Sequence, residues 1–105
     1  MADIKEARRV LITRILEGSG SSSHAQRRAA FDGVGPDGPD GPVGILLQKV
    51  ARHAAEVTDQ DFDASRARGL SEDQVFELVV CAAIGQAARL HDEALQALEA
   101  VPEER

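Results

Sequence analysis

Residues Ser71 to Ala100 read SEDQVFELVVCAAIGQAARLHDEALQALEA, a stretch with no proline in which apolar residues return every three or four places. Ser71 with Gln74 three places on is a capping-box pattern: the serine hydroxyl accepts from one unpaired backbone N–H, and the glutamine side chain accepts from another. The spacing predicts a helix from Glu72 to about Ala100, ahead of Pro102. Phe76, Val79, Val80, Ala83, Ile84, Ala87, Leu90, Ala94 and Leu98 fall on one face, and Val75, Leu78 and Ala82 widen it sideways. That surface exceeds the stripe of about 100° that one core needs. The small residues Ala82, Ala83, Gly85, Ala87 and Ala88 would let another helix approach closely. A contact between subunits, burying positions such as Val75, Val79 and Ala83, is the expectation.

Upstream of this helix the chain reads as four shorter ones. Asp3 to Glu17 is amphipathic through Ile4, Ala7, Leu11, Ile12, Ile15 and Leu16. GSGSSS (Gly18–Ser23) ends it, and a terminal serine suits the N-cap of a second helix through Phe31. The run GVGPDGPDGPVG (Gly33–Gly44) has the glycine period of collagen for only about three triplets, too few for a triple helix. Its Asp-Gly steps and prolines favour turns. Pro42 then suits the first position of a third helix, PVGILLQKVARHAAEV, to Val57. Thr58 with Asp61 caps a short fourth helix that Gly69 ends. The expected organisation is one all-α domain: a hairpin over 1–32, a Gly/Pro loop over 33–41, a helical core over 42–101 and a tail over 102–105.

Composition narrows the function. The 105 residues carry a net charge of −6, which disfavours nucleic acid in spite of the pairs Arg8–Arg9 and Arg27–Arg28. The aromatics are three phenylalanines, so burial falls to Ala, Val, Leu and Ile, and self-association would bury more. One cysteine makes no internal disulfide, no apolar run is long enough for a bilayer, and MADIKEARR has no signal-peptide core. A cytoplasmic protein is expected, with no membrane partner. GVGPDG neither follows a strand nor opens a basic helix, so it is no phosphate loop. Asp59, Asp61, Asp63 and the PEER tail read as helix-start and solvated surface residues.

The run VARHAAEVTDQDFDASRARGLSEDQVFELVVCAAIGQAARL, Val50 to Leu90, resembles the core of the carboxymuconolactone decarboxylase and alkylhydroperoxidase-D-like superfamily, over about two fifths of the chain. The likeness is carried by a helix ending in Gly69-Leu70-Ser71, followed by acids and a long alanine-rich helix. It implies a five-helix, obligately oligomeric fold. The peroxidase branch of that superfamily carries C-x-x-C-x-x-x-H just before the Gly-Leu-Ser. The corresponding places here hold Ala55, Thr58 and Phe62. Without a second thiol no cysteine can resolve the intermediate that the first forms, so the dithiol activity does not carry over.

Three residues remain as candidates for chemistry: Glu77, His53 and Cys81. Cys81 reads first as a buried small hydrophobe, and Glu77 one turn before it would raise its pKa. His91 lies about 15 Å up the same helix, so only a symmetry mate could set a histidine beside Cys81. Glu77 reads either as a buried acid with a raised pKa in a subunit cleft or as a helix edge paired with Lys49 or an arginine. His53 either joins it in acid–base work or is satisfied by backbone and solvent. His24, His53 and His91 lie on separate helices with no i, i+4 partner, so no metal site is expected, and no cofactor.

Three functions stay open. The first is a small oligomeric accessory, interaction or ligand-binding protein that has lost the dithiol centre and has a separately encoded partner. The second is a non-thiol enzyme, decarboxylase-like or acid–base, with a pocket between subunits, and the third is single-cysteine, peroxidase-like redox chemistry at Cys81.

Overall fold

A computed structural model describes residues 3–100, with side chains from residue 5 onward; the 102–105 tail lies outside the described residues. The chain forms α1 (Asp3–Glu17), α2 (His24–Phe31), α3 (Pro42–Arg52), a single 3-10 turn (Ala54–Glu56), α4 (Asp59–Arg66) and α5 (Glu72–Ala100). There is no strand among the described residues.

The expected caps are in place. Ser23 accepts from the Gln26 N–H at 3.0 Å and Thr58 from the Asp61 N–H, each completing a capping box. Ser71 and Gln74 do the same ahead of α5, at 3.1 and 2.8 Å. Pro42 stands at the start of α3, whose N-cap Gly41 offers no side chain. Asp37 substitutes for it: its carboxylate accepts from the Val43 and Gly44 N–H groups at 2.9 and 3.0 Å. The Gly/Pro loop is therefore folded back over the positive end of α3, where an acid is favoured.

The third helix is shorter than its periodicity predicts. It stops at Arg52, and His53 leaves the helical region at φ −143°, ψ 54°. The Lys49 ammonium contacts both Asp61 oxygens, at 3.0 and 3.1 Å, a tie between α3 and the α4 cap that spans the turn. Gly69 takes φ +96° in the turn into α5.

Leu16, Ala30, Val43, Leu47, Leu78, Cys81 and Ala82 form the core. α2 and α3 lie along α5, α4 along α3, and α1 mainly along α2. The inward row of α5 is Val75, Leu78, Cys81, Ala82 and Gly85, so the small residues serve contacts within the chain as well. At Gly85 a Cβ would overlap the Phe31 carbonyl oxygen, and Arg89 donates to that same oxygen at 2.8 Å. The close crossing read as intersubunit is thus partly that of α2 over α5. Val75 belongs to the chain's own interior and is not free for a subunit contact, while Val79 is half-buried against the core. Ala83 is exposed, and Phe76, Leu90 and Leu98 are 63%, 54% and 70% exposed. From Leu90 onward every α5 position but Leu95 is exposed, so the helix runs out past the body.

Candidate functional site

The polar centre of the fold is the turn between α1 and α2. Ser21 and Ser22 present their N–H groups to the first turns of α5, and Glu77 receives them. Its Oε1 accepts from the Ser22 N–H at 2.8 Å, the Ser22 hydroxyl at 2.6 Å and the Ser21 N–H at 3.0 Å, while Oε2 accepts from the Ser21 N–H at 2.8 Å. The Gln74 side-chain amide donates to the Ser21 carbonyl at 3.1 Å. A Cβ at Gly20 would lie 2.9 Å from the Glu77 Oε2, so the turn passes directly against the carboxylate.

Arg27 stands behind this turn and is only 4% exposed. Its guanidinium donates to the Ile15 carbonyl at 3.0 Å and the Gly18 carbonyl at 2.6 Å. These are unpaired carbonyls at the negative end of α1, where a cation is favoured. The Nε is buried without a hydrogen-bond partner.

Burial pushes the Glu77 carboxyl up. The Ser22 hydroxyl, the Ser21 and Ser22 N–H groups and the Arg27 charge outweigh it, and the pKa lies below the ordinary glutamate value. The shift favours the ionised acid, with three contacts on Oε1 and one on Oε2; its direction is opposite to that of the raised acid, one of the two readings of Glu77. The arginine near it is Arg27, while Lys49 is taken by Asp61.

Glu77 and Cys81 do come together. With Arg14, Ile15, Ser19, Arg27, Phe76 and Val80 they line a hollow of about 210 Å³ between α1 and α5. Cys81 is 1% exposed. Burial pushes its thiol up, Arg27 opposes that and Glu77 adds to it, and the net shift is upward. The neutral thiol is a poor nucleophile.

His53 is not part of this arrangement: it is exposed at the C-terminal end of α3, outside the hollow that holds Glu77 and Cys81. His24 and His91 are exposed as well. Among the described residues no three His, Cys, Asp or Glu side chains gather into a set able to hold a metal ion, and no helix is long and apolar enough to cross a membrane.

Ser21, Ser22 and Arg27 were absent from the sequence candidates. GSGSSS resembles a flexible linker, and only Arg27, three residues before the inward-facing Ala30, signals that α2 buries a charge in need of acceptors. No family model, no curated protein and no solved structure matches the chain.

Proposed function

We propose that this chain is a self-associating helical assembly protein, an accessory or interaction module that keeps an alkylhydroperoxidase-D-like arrangement of five helices without a dithiol centre. One observation carries the reading. The outward face of α5 leaves Phe76, Leu90 and Leu98 more than half exposed, with Ala83, Ala87 and Ala94 exposed between them. An apolar strip of this kind is costly in water, which supports a contact surface there. Proton transfer by Glu77 has less support, because a carboxylate held ionised by the Ser21 and Ser22 donors has no proton to give near neutral pH, and its Oε1 is taken up by three of those contacts. The cytoplasm is the proposed location, on the strength of the lone cysteine.

Light scattering on wild-type protein and on Leu90→Lys tests the reading. The wild type is expected at a multiple of the 11.2 kDa chain mass, and the variant at the chain mass with an unchanged helical circular dichroism spectrum. A wild type that stays monomeric at high micromolar concentration overturns the proposal.

A further inference from the structure

The exposed strip of α5 has a period that narrows what can cover it. Phe76, Val80, Ala83, Ala87, Leu90, Ala94 and Ala97 alternate four and three residues apart, the spacing of a coiled-coil seam. All are exposed except Val80, which is half-buried. This seam lies away from the Val75, Leu78, Ala82 and Gly85 row that meets α2 and α3. The groove toward α1, lined by Leu11, Ile12, Ile84, Ala87, Ala88 and His91, runs along one flank of it.

Resting on the assembly reading above, we infer that the occupant of the seam is α5 of a second copy, laid antiparallel and centred at the level of Gly85. That register sets Phe76 against Ala94 of the partner subunit, Val80 against Leu90 of the partner subunit, and Ala83 against Ala87 of the partner subunit. Each larger side chain then meets a smaller or medium one, and the alanines let the helices close at the centre. Sliding one heptad in one direction leaves Phe76, the largest exposed residue of the seam, beyond the end of the overlap. Sliding the other way sets Asp73 against Leu90 of the partner subunit and uncovers the seam from Ala94 onward. A parallel pair would set Phe76 against its own equivalent, and the acidic first turns with Glu72 and Asp73 side by side. The antiparallel pair instead sets each helix N-terminus beside its partner's C-terminus, the favourable arrangement of dipoles.

Area sets a demand on the overlap. With 29 residues α5 is about 43 Å long. At about 10 Å wide it offers a contact plane of roughly 430 Å². A specific dimer buries about 800 Å² of accessible surface per partner, so little of the helix can be left out, and the α1 flank has to contribute. On that flank the row Glu77, Ile84, His91, Leu98 recurs every seven residues. In an antiparallel pair such a row faces itself, which places His91 of the partner subunit opposite Glu77, beside the hollow of Arg14, Ser19 and Cys81. An acid meets a base there, and the partner subunit supplies one wall of the hollow.

Oxidative crosslinking of Asp73→Cys/Ala97→Cys, beside each single variant and the wild type, reads this register. In one chain these positions are about 36 Å apart along the helix, too far for an internal bond, while in the inferred pair they face each other. The double variant is expected to give a covalent dimer on non-reducing gels. Asp73→Cys alone, Ala97→Cys alone and the wild type, whose Cys81 is buried, are expected to give none. An Ala97→Cys homodimer overturns the inference in favour of a parallel pair and leaves the assembly reading intact. Oligomers by light scattering with no crosslink in any variant overturn the seam and leave assembly through another face. A monomer by light scattering removes both.

Discussion

Replacing Glu77 by alanine removes the acceptor for three donors at once: the Ser21 N–H, the Ser22 N–H and the Ser22 hydroxyl. Ser21 is exposed and its N–H takes water instead, at little cost. Ser22 is 4% exposed, and its two donors lose a charged acceptor with no replacement close by. A hydrogen bond to a charged group contributes about 1.5–3 kcal/mol, and an unsatisfied buried donor costs about 1–3 kcal/mol. The carboxylate is partly wet, which reduces both, and the expected loss is about 2–4 kcal/mol in urea unfolding at pH 7 and fixed protein concentration. Glu77→Gln keeps one acceptor oxygen and is expected to lose roughly half as much. The pH dependence has a definite sign. The folded carboxyl sits below the ordinary value, so its contribution is complete above the unfolded pKa of about 4.3 and is lost as pH falls through the folded value. The gap between wild type and Glu77→Gln should hold from pH 7 down to about 5 and narrow below about 4. Glu77→Ala within about 0.5 kcal/mol of wild type, the range of an ordinary surface change, would refute the latch, as would a gap that stays constant through the acid range.

Other consequences separate the parts of the structure. Gly85→Ala sets a methyl group on the Phe31 carbonyl, and overpacking of this kind costs about 1–3 kcal/mol; a thermal midpoint equal to wild type would mean that α2 does not cross α5 there. Asp37→Asn keeps the shape but weakens the remote cap of α3, with an expected loss of about 1 kcal/mol by denaturant titration. Cys81 should react with a thiol reagent at the rate of global unfolding, and prompt reaction in native protein would show that the hollow admits solvent to the sulfur. Arg27→Met removes the cap on the α1 carbonyls and is expected to lower stability by about 2–4 kcal/mol, more than Arg28→Met, whose contact with Glu17 is exposed.

The helices were legible in the sequence where local chemistry decides them. Ser23, Thr58 and Ser71 each hold a cap within three residues of themselves, and Pro42 and Gly69 act through their own backbone. The α5 faces were harder, because α5 is apolar on both sides. Periodicity gives the width of an apolar surface and not which part of it meets its own chain, and the choice was made by Gly85, whose missing side chain admits α2. The length of α3 is hidden for a similar reason: Val57 continues the helical pattern, but the chain leaves the helix at His53, and the Lys49–Asp61 contact across the turn is not visible in local periodicity.

The candidate site was half legible. Glu77 stands out as a charge inside VFELVV, and an acid there can be a catalytic group, a surface residue or an acceptor for backbone donors elsewhere. Sequence spacing cannot separate these, since the donors at Ser21 and Ser22 lie 56 and 55 residues away. Once they are in place, the electrostatics follow: three donors and Arg27 favour the ionised carboxylate over the penalty of burial, so the same residue that looked reactive becomes a fastener. Fastening has its own functional consequence. It fixes the end of α1 against α5 and so holds rigid both the α1 flank and the seam from Phe76 to Ala97 on which association would depend. Glu77→Ala should therefore weaken self-association as well as folding, because it loosens the turn and, in the inferred pair, also removes the acid that faces His91 of the partner subunit. Sedimentation under native conditions at several concentrations gives the comparison: a Glu77→Ala protein that remains folded and associates as tightly as wild type would show that the α1–α2 turn and the α5 face are independent.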